Sequence, residues 1–84
     1  MSRIVKRIGK IIDNPKNVSF DELESILNYF GWVKRGKTSG SHFVFEKEEE
    51  FPITIPKNKP FVKKHYVANV IEILELEGWY ENNR

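Results

Sequence analysis

Apolar residues recur along this chain in two rhythms. Ile4, Val5, Ile8, Ile11 and Ile12 fall at helical spacing, with basic residues largely between them. Asn14-Pro15 should stop this first helix, because proline disfavours helical backbone in the residue before it. Val18-Ser19-Phe20-Asp21-Glu22-Leu23 reads as a second helix start. Ser19 can cap the helix while Glu22 reaches back to the cap N–H, with Val18 and Leu23 as a hydrophobic staple. Phe20, Leu23, Ile26, Leu27 and Phe30 continue the stripe, and Gly31 stands where a helix-ending glycine belongs.

The rhythm then shortens to two. Trp32–Lys34 predicts a first strand, and Gly36–Gly40 a hairpin turn. Ser41–Lys47 predicts a second strand, with Phe43 and Phe45 on one face and His42 and Val44 on the other. After a Glu48–Glu50 corner, Phe51–Ile55 predicts a third strand, closed by Pro56. Pro52 within it argues for an edge or a strand start. The helical rhythm returns in Tyr66, Val67, Val70, Ile71 and Leu74, one long helix that Gly78 should stop. Trp79 and Tyr80 would then fold back or lie exposed. The expected fold class is α+β, a three-stranded antiparallel sheet with helices packed on one face, in the order α-α-β-β-β-α. Residues 1–84 are expected to form a single domain, with 1–14 an extra N-terminal helix.

Composition narrows the function classes. The chain has 84 residues, of which 39% are hydrophobic and 13% aromatic, enough for a modest core. It has no cysteine, which excludes disulfides and Cys-built zinc or redox sites and suits the cytoplasm. Two histidines, His42 and His65, are too few for a His-built metal site. No apolar run approaches the roughly 18 residues of a membrane span, and the first residues show no signal-type apolar core. A membrane role is not expected.

Charge informs by position. The net charge is only +2. Basic residues cluster at Arg3–Lys10, at Lys34, Arg35 and Lys37, and at Lys57, Lys59, Lys63 and Lys64, with acidic blocks between them. Taken singly, each cluster is an ordinary solvated face. Folded onto one side, two of them would make a surface for a polyanion.

The segment Gly40-Ser41-His42 is the main candidate for chemistry. Small residues lead directly into a strand and a histidine follows, directed to the open face if Phe43 and Phe45 face the helices. Histidine exchanges a proton near neutral pH, as acid–base catalysis requires. Gly40 permits close approach of a phosphate, and the Ser41 hydroxyl lies at the strand mouth. The bland alternative is an exposed strand histidine after a turn. His65, with Lys63 and Lys64, stands at a helix N-terminus, where an anion would offset the positive charge. Lys57 and Lys59, between Pro56 and Pro60, form a stiff basic loop suited to phosphate contacts or simply to solvent. Trp32 and Trp79 suit packing better than base stacking.

Together these segments resemble the HicA-type mRNA interferase toxins. The resemblance runs from about Asn14 to Leu76. It rests on Asn14-Pro15-Lys16-Asn17-Val18-Ser19-Phe20, on Leu27 with Phe30-Gly31-Trp32, and on Gly40-Ser41-His42-Phe43-Val44-Phe45. It continues through Ile53-Thr54-Ile55-Pro56 and from Pro60 through Lys63-Lys64-His65-Tyr66-Val67 to Val70. The resemblance implies a fold like that of double-stranded RNA-binding domains, ribonuclease activity on mRNA, and neutralisation by a cognate HicB-type antitoxin. It places the family's catalytic histidine on His42.

The expected function is therefore a cytoplasmic, metal-independent and cofactor-free endoribonuclease toxin of a type II toxin–antitoxin pair. His42 is its general acid or base and His65 the possible second group. RNA would lie on the open sheet face, held by Lys37, Gly40, Ser41, Lys57, Lys59, Lys63 and Lys64. The alternative is a non-catalytic RNA-binding or protein-interaction module on the same fold.

Overall fold

A computed structural model describes residues 2–84, with residues 37–39 described by their backbone alone. Helices α1 (Arg3–Asp13) and α2 (Phe20–Tyr29) precede strands β1 (Val33–Ser39), β2 (His42–Glu46) and β3 (Ile53–Pro56). Helices α3 (Lys64–Ile73) and α4 (Leu76–Asn83) follow. The sheet is antiparallel in the order β1-β2-β3. This is the expected α+β arrangement, consistent with a fold like that of double-stranded RNA-binding domains.

Helix α2 forms for the reasons its sequence gives. The Ser19 hydroxyl accepts from the Glu22 N–H at 3.2 Å, and the Glu22 carboxylate accepts from the Ser19 N–H at 3.2 Å, a reciprocal capping box. At the other end the Trp32 N–H donates to the Leu27 carbonyl at 2.9 Å and the Gly31 N–H to that of Asn28 at 3.1 Å. This Schellman closure needs a left-handed residue, and Gly31 supplies it with φ 92°. The closure turns Trp32 into the core, where it is 3% exposed.

Helix α1 buries Val5, Ile8 and Ile11 and lies against α2. Arg7 donates to the Ser25 hydroxyl at 2.6 Å, and the Lys10 ammonium meets the Glu22 carboxylate at 2.6 Å. Burial acts to raise the Glu22 pKa. The Lys10 ammonium, together with the N–H and hydroxyl of Ser19, outweighs it and holds the carboxyl below the ordinary carboxylate range.

The sheet's two faces differ as the alternation requires. Phe43 and Phe45 pair with Ile55 and Ile53, and these four lie toward the helices; Phe45, Ile53 and Ile55 are buried and Phe43 is half-buried. Val44 and its partner Thr54 are half-buried and exposed on the other side. Phe45 is fully buried and packs tilted on Phe20, 6.0 Å between ring centroids. The core is one cluster that joins Ile8 and Ile11, the α2 stripe, the inner sheet face, Val62, Val67, Val70 and Leu76.

Three expectations need correction. Strand β1 runs on through Gly36 to Ser39, so the turn is only Gly40-Ser41. Gly36, at φ 135°, sits at a register shift, so it bends the strand rather than ending it. The third strand starts at Ile53, leaving Pro52 outside the ladder and Phe51 92% exposed. The last helix breaks in two at Leu74-Glu75, where Glu75 is left-handed at φ 52°. Gly78 therefore lies inside α4, and Trp79 and Tyr80 are helical and half-buried. Tyr80 packs on α1: a Cβ added at Gly9 would sit 2.8 Å from its ring.

Candidate active site

The site is built at the hairpin end of the sheet. Ser39 pairs with His42, which closes a two-residue turn with Gly40 left-handed at φ 49°. The turn is also joined to the chain leaving β3. The Lys57 N–H donates to the Ser41 carbonyl at 2.8 Å, and Pro56 lies opposite His42 in the ladder. His42 thus opens β2 between the glycine turn and the basic loop. Register puts it on the Val44 face, half-buried. Among the described residues neither His42 nor His65 has a side-chain hydrogen bond or ion pair.

The loop after β3 is held at both ends. The Asn58 N–H donates to the Pro56 carbonyl at 3.1 Å, and the Val62 N–H to that of Val18 at 2.8 Å. The second bond draws the loop against the first turn of α2. Between them lies an open cleft of about 540 Å³ lined by Ser19, Phe20, Asp21, Lys57, Asn58, Lys59 and Pro60. The Lys57 ammonium stands 5.5 Å from the Phe20 ring centre, within cation–π range. Lys34 approaches the same ring at 5.8 Å and the Phe43 ring at 4.9 Å, while pairing with Glu24 at 3.1 Å.

The sequence candidates therefore separate. Gly40, Ser41, His42 and the Lys57–Lys59 loop come together at one end of the sheet. The Lys57 ammonium reaches toward α2 and the inner aromatics, while the register directs His42 to the open face. Lys63, Lys64 and His65 form the entry to α3 and are exposed. Lys63 occupies the cap position without a side-chain cap bond, and the His65 ring lies tilted against that of Tyr66, 4.1 Å between ring centroids. No hydrogen bond joins His65 to His42 among the described residues. Lys37 lies in β1 opposite Phe43, and its side chain falls outside the described residues. The sequence assigned Phe20 to a core stripe and Asn58 to a loop. The cleft they share depends on the pairing of Val62 with Val18, a contact no local pattern announces.

An α+β sheet carries a histidine and a basic loop at its hairpin end, and comparison gives this arrangement a class. A family model described as HicA toxin of bacterial toxin-antitoxin matches residues 20–76. The match takes in β1, β2, β3, α2 and α3 and covers more than half of the chain, so the chain belongs to the HicA toxin family. No curated protein and no solved structure matches it significantly. Helix α1 lies outside the matched residues, and α4 lies almost wholly outside them. Among the described residues no helix is long and apolar enough to cross a membrane.

Proposed function

We propose that this toxin is an mRNA interferase, a metal-independent endoribonuclease whose acid–base group is His42. The observation that carries the reading is the 2.8 Å bond from the Lys57 N–H to the Ser41 carbonyl, which ties the basic loop to the turn that presents the histidine. RNA lies across this hairpin end, with Lys57, Lys59, Lys63 and Lys64 on its phosphates. Lys37, Gly40 and Ser41 complete the contact from the hairpin.

The reaction needs only groups that the chain and RNA supply. His42 takes the proton of a ribose 2′-hydroxyl as its oxygen attacks the neighbouring phosphorus. The bond to the 5′-oxygen breaks, leaving a 2′,3′-cyclic phosphate, and the departing oxygen gains a proton. His65, the other histidine of the chain, is the candidate for that second transfer. Family membership supports a cognate antitoxin as partner, which we take to be of HicB type, and a cytoplasmic site of action.

Inducible expression of the parent and of His42→Ala tests the reading. The parent should arrest growth and degrade mRNA, and the variant should do neither while accumulating as folded protein. Equal RNA loss from both sinks the assignment of His42.

One observation favours a second reading. Among the described residues neither histidine has a hydrogen-bonded partner to orient it, as a catalytic imidazole often has. A non-catalytic RNA-binding module is the alternative, and salt-dependent RNA binding by a parent that never cuts would establish it.

A further inference from the structure

The end of the molecule away from His42 carries a different surface. Strand β2 separates the two, running about 13 Å from His42 to Glu46. Helices α2 and α3 both end beside the corner that follows it. A shallow pocket of about 210 Å³ opens there, walled by Phe30, Trp32 and Ile73, with Lys47, Glu50 and Glu75 as its charged groups. Apolar surface extends beyond it. Ile73 is 41% exposed, and the Phe30 ring meets that of Trp79 edge-on at 5.4 Å. The Tyr29 ring stands 6.1 Å from Trp79 and is 58% exposed. Aromatic and aliphatic side chains left open around a pocket mark an interaction surface.

Charge says what covers it. Glu48, Glu49, Glu50 and Glu75 are exposed and enter no ion pair among the described residues. Lys47 extends over Gly31, its Cε 3.6 Å from where a Cβ would stand, and it too pairs with no carboxylate among the described residues. Two carboxylates to one ammonium leave the pocket acidic. Such a surface repels RNA and anionic lipid, and a two-fold pair of copies would set glutamates against glutamates. A head-to-tail copy would have to bring the cations of α1, yet Arg7 and Lys10 are already held by Ser25 and Glu22, and such contacts do not close. Glu75 adds a further sign. It is left-handed at φ 52°, a geometry that glycine holds at less cost, so its carboxylate serves something other than the fold.

We propose that this end docks a cationic protein segment, with one arginine laying its stem along Ile73 and Phe30 and its guanidinium against Glu50 and Glu75. Arginine suits the pocket because its stem packs on apolar surface while its planar head pairs with carboxylates. Flanking apolar residues of the segment cover Tyr29 and Trp79. The docking is independent of the ribonuclease reading, and it leaves the hairpin end uncovered.

The test follows fluorescence anisotropy of labelled peptides with the full chain. The probe alternates arginine and leucine; in one control glutamate replaces arginine, and in another serine replaces leucine. The parent should bind the probe at least about tenfold more tightly than either control. Ile73→Ser and Glu50→Gln should each weaken it about tenfold, whereas Phe61→Ser, an exposed apolar residue before α3, should not. Glu75→Gly separates contact from folding: it should weaken binding while melting no lower than the parent. No binding by the parent, equal binding of the probe and either control, or full affinity in Ile73→Ser and Glu75→Gly overturns the docking surface. Self-association of the chain that Ile73→Ser abolishes, seen by sedimentation, overturns it in favour of a second copy.

Discussion

Two sides of helix α2 treat charge in opposite ways. On the α1 side, polar groups are matched: Lys10 with Glu22, Arg7 with Ser25, and the Ser19–Glu22 box with itself. Along the loop after β3 and at the entry to α3, Lys57, Lys59, Lys63 and Lys64 enter no ion pair among the described residues, and the Asn58 oxygen has no donor. Polar groups left unmatched beside a cleft suit a partner from outside, whereas matched ones serve the fold. The small net charge of +2 hides this division, because the paired and unpaired cations are summed together.

The comparison can be broken most forcefully in the core. Phe45→Ala removes a fully buried ring that packs on Phe20 and should cost about 3–5 kcal/mol, read as a lowered urea midpoint. A loss under about 1 kcal/mol would mean that the inner sheet face is not packed as described.

The contact between α1 and α4 offers a sharper test, because its sign should invert. Gly9→Ala drives a methyl into the Tyr80 ring and should destabilise the protein by about 1–3 kcal/mol, less the helix gain of about 1. In a Tyr80→Ala background the same change should instead stabilise. Thermal melts of the four proteins decide it, and the same sign in both backgrounds refutes the contact.

The smallest effect concerns the capping box. Ser19→Ala should cost about 1 kcal/mol by chemical denaturation. Because the folded Glu22 carboxyl titrates below its ordinary range, its stabilisation is complete above that range and is lost as pH falls through the lowered value. Glu22→Gln should therefore flatten the acid limb of the stability curve. A parent and variant with identical acid limbs would contradict the linkage.

How much of this was legible in the sequence depended on whether local signals carried it. Helices α1 and α2 were readable because periodicity, caps and glycine agreed. The hairpin was misread because Gly36 looked like a turn residue, yet it serves a bulge within β1. The break between α3 and α4 had no local marker. It falls at Glu75, a non-glycine in left-handed geometry, while the apolar spacing runs on through Leu74 and Leu76. Of the candidate site, the union of Gly40, Ser41 and His42 was visible as a motif. Its junction with Lys57 was not, since that bond arises from strand register. The cleft beneath Asn58 was hidden for the same reason.

The central claim is that the hairpin end is a chemical centre and not part of the scaffold. Single-turnover RNA cleavage by purified parent and His42→Ala at neutral pH, with melting temperatures measured alongside, tests it most directly. The account predicts a rate lower by about 10²–10⁴ with the melting temperature unchanged. Cleavage by the variant at the parent's rate would contradict it.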